Sequence, residues 1–403
     1  MVDLLINLWC SFWRIMKSKY KWLLILFVIW MYRIDFMPAD GSGFAKAIQV
    51  VTLFGMSLLL FFYNKKILRL SFHMTNMPVK TCLLLYIYAI LSTLWAFNPM
   101  FAFFLSFQNF ILILFFLWLF SESTNFCEIE KSFLLVVVAI MLFEAIGYRL
   151  LVINVLFIHY LPVASSAALC LSYCTGELLS KRLKNKKRNI FLMSCIVLSF
   201  MILATSTSAG ANVSAVLGVA CACILSGKIL WSFLLFGCFG YLYFNPTVVD
   251  QVVNIIMAGK DKENIESVTG RDILWETMLH LASQKPIFGW GFGCIERAAT
   301  ATGVIETPDA HNIYVGIYGS LGILGCVLAG FNFISSLFSS FANRLKPGMT
   351  GVFCALACGL LNGYSYGFLS GKACSITVIY IALIVLTFSY KKVLSYEYFS
   401  ANK

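Results

Sequence analysis

The 403-residue chain is 60% hydrophobic and 16% aromatic, with only 12% charged residues and a net charge of +12. Soluble domains carry about twice that charged fraction, so a soluble globular class is excluded. The positive balance is read as loops held on the cytoplasmic side of a membrane, not as a nucleic-acid surface.

Most of the fourteen cysteines sit inside apolar runs, as Cys195, Cys221 and Cys354 do, and act there as small apolar residues. No cysteine or histidine spacing reads as a metal site. The expected class is all-α: a polytopic helical membrane protein. Residues 2–13 read as an interfacial amphipathic stretch, followed by Arg14, Lys17, Lys19 and Lys21. No small-residue cleavage site follows, so a cleaved signal peptide is not expected.

About twelve spans follow from the lengths that a bilayer requires. They lie near 22–38, 47–63, 80–97, 100–120, 132–152, 162–180, 190–206, 209–227, 229–244, 310–333, 349–368 and 373–390. With the N-terminus inside, the inner loops collect Lys65, Lys66, Arg69, Lys80, Lys131, the block KRLKNKKR (181–188), Lys228, Arg344 and Lys346. Outside the 245–309 segment, the other face holds only Arg33, Lys46, Arg149 and Lys372. This asymmetry predicts both termini in the cytoplasm and 245–309 outside. Three regions result: a bundle over 1–244, an external catalytic loop over 245–309, and three spans over 310–403.

The 245–309 segment breaks the composition. It carries Asp250, Asp261, Glu263, Glu266, Asp272, Glu276, Glu296, Glu306 and Asp309, half of the chain's 18 acids. A connection this long in a compact protein is usually functional or disordered. Its caps, aromatics and glycines favour function. Thr269 and Asp272 hold capping-box positions. Ile273, Leu274, Thr277, Met278 and Leu281 recur at helical spacing, and Pro286 ends the run, predicting a helix over 270–284. Arg271 then sits in the first turn, an unfavourable place for a cation unless an anion binds there. The alternative is a solvated pair with Asp272 or Glu266. His280 falls on the opposite face of that helix.

Next comes Pro286-Ile287-Phe288-Gly289-Trp290-Gly291-Phe292-Gly293. Alternating glycines and aromatics suit either a sugar-binding surface or a tight return with Trp290 as interfacial anchor. In Thr307-Pro308-Asp309-Ala310-His311-Asn312-Ile313-Tyr314, Thr307 suits a cap and Pro308 the first helical position. His311 is then expected in the first turn of the next span, sharing a face with Tyr314 and Tyr318. A histidine at a helix N-terminus tends to stay neutral, as a general base must.

The order of these motifs resembles the O-antigen ligase/polymerase family of bacterial envelope glycosyltransferases. The resemblance rests on Thr269-Gly270-Arg271 followed by an aliphatic and Trp275, the Pro-x-x-Gly-x-Gly-x-Gly return, the His311-Asn312 pair, and Leu321, Gly322 and Gly325 in the span that follows. A further likeness, to exopolysaccharide polymerases, is the turn Ser92-Thr93-Leu94-Trp95-Ala96-Phe97-Asn98-Pro99.

The resemblance implies a glycan donor on undecaprenyl diphosphate at the outer leaflet of the bacterial inner membrane. It implies transfer to an acceptor hydroxyl with inversion, and no metal or other cofactor. The acceptor is another lipid-linked glycan in a polymerase, or lipid A–core in a ligase, with a slight preference for the polymerase. Arg271 is then the diphosphate ligand and His311 the base that activates the acceptor. Thr269, Gly270, Trp275, Asn312 and Tyr314 join the substrate-binding set.

The chain departs from the family pattern at Thr205-Ser206-Thr207-Ser208-Ala209-Gly210, where a Ser-Arg pair is often found. Ser206 and Ser208 hydroxyls suit phosphate oxygens, and the missing charge falls to Arg149, Arg297 or Lys285. A transporter or lipid-linked glycan flippase is the alternative of another class. It is disfavoured because the polar groups gather in one external loop instead of at the midplane, and no internal repeat is evident.

Overall fold

A computed structural model describes residues 21–35, 37–38, 43–63, 76–121, 123, 125–150, 156–157, 160–183, 185–206, 208–234, 237, 271–303, 311–371 and 373–401. The regular secondary structure of the described residues is helical except for one two-residue strand pairing. The helices are α1 (Lys21–Asp35), α2 (Gly43–Tyr63), α3 (Met77–Leu91), α4 (Pro99–Ser121), α5 (Phe126–Leu150), α6 (Tyr160–Ser180), α7 (Lys186–Ala204) and α8 (Ala209–Leu225). After them come α9 (Arg271–Gln284), α10 (Ile295–Ala301), α11 (Ile313–Ala342), α12 (Met349–Asn362) and α13 (Ser375–Ala401). The strands β1 (Met37–Pro38) and β2 (Leu156–Phe157) pair antiparallel, with Met37 opposite Phe157.

Among the described residues four helices are long and apolar enough to cross a membrane: Met77–Leu94, Pro99–Ser121, Lys186–Ala204 and Ile313–Ala342. Every predicted span except 229–244 coincides with a helix, and most of 229–244 lies outside the described residues.

Local sequence sets the helix starts. Pro99 opens α4 while Asn98 Oδ1 accepts the Phe101 N–H at 3.2 Å. Asn185 caps α7 through the Arg188 N–H at 3.2 Å, and Ser208 caps α8 through the Ala211 N–H at 3.4 Å. The centre of the bundle is α6, which packs on α5, α7, α8, α12 and α13. Its small residues make this possible. A Cβ on Gly176 would lie 3.0 Å from the Gly351 Cα of α12, and Ser172 fills the space beside Gly218 of α8. The described cysteines are free, as their apolar settings suggest.

One end of the bundle, where α6 and α7 meet through the 181–188 block, is held by a buried charge cluster. Arg188 on α7 bonds Glu130 of α5 through Nε and, at 2.7 Å, through Nη2; Nη2 also reaches Glu177 of α6 at 2.7 Å. Tyr173 donates to Glu130 at 3.0 Å. Glu177 also accepts the Gly348 and Gly351 N–H groups at the start of α12, at 2.9 and 3.0 Å. Four helices are tied at one point.

Three sequence expectations are corrected. The 80–97 span stops at Leu91, because a 3-10 turn at Ser92–Leu94 bends the chain and the Phe97 N–H then bonds Trp290 O at 2.8 Å. The 349–368 span stops at Asn362, because the Gly363 carbonyl turns aside to accept the Ile313 N–H at 2.8 Å. Residues 363–371 then run as a non-helical strap beside the start of α11. Ser320 Oγ bonds Ser370 O at 3.4 Å, and Asn109 of α4 bonds Gly371 O at 3.1 Å. Such backbone within a helical bundle is tolerated where protein groups satisfy it. The third correction concerns His311. It lies outside α11, since Asn312 is the N-cap and accepts the Tyr314 and Val315 N–H groups at 2.9 and 3.2 Å. The expected cap at Thr307 and first helical position at Pro308 lie outside the described residues.

Candidate functional site

At the end of the bundle away from the Arg188 cluster, α9 and α10 pack over the first turns of α11. Leu274, Met278 and Leu281 of α9, three of the positions predicted to be apolar, are buried against Ile295, Ala298 and Ala299 of α10. Ile273 and His280 face outward. Arg271 stands at the start of α9 and donates through Nη1 to Ser365 O at 3.1 Å. Trp275, one turn on, meets Tyr364 edge-on at a centroid distance of 5.4 Å. Residues four apart share a helix face, so Arg271 and Trp275 engage neighbouring residues of the strap.

The start of α8 reaches the same strap. Gly210 lies against the Ser365 side chain so closely that a Cβ there would overlap its Oγ. Ser208, buried as the α8 cap, is joined to Ser206 by its N–H at 3.4 Å from Ser206 Oγ. The first N–H groups of a helix lack intrahelical partners and carry partial positive charge. Arg271 and the α8 N-terminus therefore flank Ser365 with donors suited to an anion.

His311 completes the group. Its φ of +47° is uncommon for a non-glycine residue, and its ring lies 6.4 Å from that of Tyr366, centroid to centroid. Tyr314 is on the exposed side of the first turn of α11, its hydroxyl bonded to Leu360 O at 2.8 Å. The expected face shared by His311, Tyr314 and Tyr318 does not form, because the helix starts after His311.

The other predicted residues fall elsewhere. Arg297 places its guanidinium over the Phe101 ring, 3.6 Å from the centroid. Lys285 lies 4.2 Å over the Trp290 ring. Thr269, Gly270 and the Arg149 side chain lie outside the described residues.

The glycine-rich return forms a second, separate cluster. Trp290 N and Gly291 N bond Gly319 O and Ser320 O at 3.0 and 2.9 Å, and Ile323 N bonds Pro286 O at 2.8 Å. The return thus inserts at a break in α11, where Gly322 takes φ +65° and ψ −164°. The Ser92–Pro99 turn covers its far side: Trp95 Nε1 donates to Phe288 O at 3.0 Å, and Ser92 Oγ accepts the Phe292 N–H at 3.0 Å. Two motifs that were separate in the sequence are one structure, a tight return packed against the break in α11.

The strap itself escaped the sequence reading. Asn362-Gly363-Tyr364-Ser365-Tyr366-Gly367 was absorbed into the end of a predicted span. Its signal was the density of glycine, serine and tyrosine between two apolar runs.

Residues 193–330 match the family model described as O-antigen ligase. Over those residues the chain is similar to the O-antigen ligase family. No curated protein matches the sequence. The O-antigen ligase segment contains Ser206, Ser208, Arg271, Trp275, Arg297, His311, Asn312 and Tyr314. The strap at 363–371 lies beyond it in sequence but against it in space. The apolar composition and the four long apolar helices among the described residues are in keeping with a membrane protein.

Proposed function

We propose that the protein is an inner-membrane glycosyltransferase that moves glycan from undecaprenyl diphosphate to an acceptor hydroxyl at the outer face. The observation that supports this reading is the meeting of Arg271, the α8 N-terminus and His311 on the five residues Gly363–Gly367. The donor set meets the strap at Ser365, and the imidazole stands beside Tyr366, the next residue.

In this reading Arg271, with the first N–H groups of α8 and the Ser206 and Ser208 hydroxyls, holds the diphosphate. These groups supply the positive potential that the missing family arginine would give. His311 takes the proton of the acceptor hydroxyl as its oxygen attacks the anomeric carbon. The bond from that carbon to the phosphate oxygen breaks, and its electron pair leaves with the diphosphate. Charge building on the leaving oxygen is stabilised by the guanidinium and the helix end, so the reaction is metal-independent. A single displacement inverts the anomeric centre. The site end faces outward and both termini lie in the cytoplasm, in keeping with the distribution of lysine and arginine. Of the two variants, repeat-unit polymerase is favoured by the Ser92–Pro99 turn.

A deletion strain complemented with wild type or His311→Ala tests this. The readout is a gel of surface polysaccharide and lipid-linked intermediates. Single repeat units in place of long chains mark a polymerase, whereas long chains held on the carrier mark a ligase. His311→Ala is expected to behave as the deletion while inserting normally. Wild-type glycan in the deletion strain overturns the transferase reading, and wild-type glycan with His311→Ala overturns the base.

A further inference from the structure

Arg271 and Trp275 stand one turn apart on α9, and the strap answers them with consecutive residues. Arg271 bonds the Ser365 carbonyl, and Trp275 meets the ring of Tyr364 at 5.4 Å with an interplanar angle of 74°. The two aromatic residues differ in setting. Trp275 is half-buried against the Leu274–Met278 face, whereas Tyr364 is 56% exposed. Two residues further on, Tyr366 is buried beside His311. The strap therefore presents an exposed aromatic ring, met edge-on by Trp275, next to the Ser365 carbonyl that Arg271 holds and two residues before the Tyr366 that stands beside His311.

We propose that Tyr364, held by Trp275, is the stacking surface for the first sugar of the donor, the one bonded to the diphosphate. The inference rests on the transferase reading above. The sugar's anomeric carbon is bonded to a phosphate oxygen at one side and is approached by the acceptor oxygen from the other. Its ring must lie close to both the diphosphate ligand and the base, and Tyr364 neighbours the strap residues that Arg271 and His311 meet. A pyranose carries C–H groups on its ring faces and hydroxyls at its edge. The face of an aromatic ring suits those C–H groups. The edge-on Trp275 fixes the orientation of Tyr364 at little entropic cost, because each side chain has only two rotatable angles.

The test is equilibrium binding to the purified full-length protein. Two probes are used: undecaprenyl diphosphate, and the lipid-linked glycan extracted from a strain deleted for this protein. Wild type is expected to bind the glycan-bearing lipid more tightly. Tyr364→Ala is expected to weaken that binding by about tenfold, the scale of one aromatic contact, and to leave undecaprenyl diphosphate unchanged. Tyr364→Phe, which keeps the ring, is expected to match wild type for both.

Equal loss of both probes in Tyr364→Ala makes the residue structural and overturns the proposal. No loss of either makes Tyr364 an interfacial aromatic and overturns it too. Arg271→Ala is expected to weaken both probes. If it weakens neither while Tyr364→Ala behaves as expected, the diphosphate assignment falls and the sugar contact stands. Wild type that binds neither lipid overturns both.

Discussion

Arg271 and His311 were picked out of the sequence for different reasons, and both reasons changed in the fold. Arg271 conflicted electrostatically with the helix it opens. The structure keeps it there, donating to a carbonyl from a turn 94 positions away. A guanidinium spreads its donors in a planar fork, so one N–H can hold the strap while others face a diphosphate. Arg271→Lys keeps the charge and loses the fork. It is expected to lower the transfer rate about 100-fold or more, the scale of losing one preorganised donor. In vitro transfer at saturating donor measures it, and a wild-type rate would make Arg271 structural.

His311 was expected in a helix turn, but Asn312 takes the cap and leaves His311 in left-handed backbone. The sequence showed a histidine at a helix entrance. It did not show that Asn312 takes the cap, because cap choice depends on where Gly363 anchors the first N–H of α11.

The break in α11 is the clearest case at the scale of elements. A helix interior rarely holds a residue at positive φ with extended ψ, a region open essentially to glycine alone. Gly322 sits there, and a Cβ on it would strike the Ile287 carbonyl. The helix N–H groups freed by the break are answered by Pro286 O and Ile287 O, at 2.8 and 3.4 Å. Gly322→Ala is expected to cost about 2 kcal/mol or more from backbone strain alone, before the clash. The check is the thermal midpoint of the detergent-solubilised protein, and an unchanged midpoint would mean that α11 straightens without penalty. The glycines of 289–293 and 322 were legible as positions needing an unusual backbone. Their mutual fit was not, since the segments lie about 30 residues apart and nothing local states that one plugs the other.

Over the whole molecule, the two ends are built differently. The Arg188 end is fixed by buried charge, with Glu130, Glu177 and Tyr173 around one guanidinium. Removing one partner of such a cluster leaves buried charge uncompensated. Arg188→Ala is therefore expected to destabilise the protein by about 3–5 kcal/mol. Thermal unfolding and the yield of folded protein from membranes report it, and wild-type values for both would show the cluster dispensable. Arg188 reads as one more basic residue of a solvated loop, and the sequence offers no sign that it turns inward while Lys181, Arg182, Lys186 and Lys187 stay exposed. The site end is held instead by backbone hydrogen bonds and close glycine contacts, among them Ile313 to Gly363 and Gly210 to Ser365.

Composition and run length by themselves determined the helical membrane class, because a chain this apolar buries its backbone only by helix formation in long runs. Periodicity determined α9 and the burial of Leu274, Met278 and Leu281, since side-chain spacing on a helix acts within a few residues. Tertiary structure alone decided what meets what. The strap became a helix break, the Ser92–Pro99 turn became the cover of the glycine return, and Arg188 became the centre of a buried cluster. Each depends on contacts between residues far apart in the chain, where the gain is packing and hydrogen-bond satisfaction that no local pattern encodes.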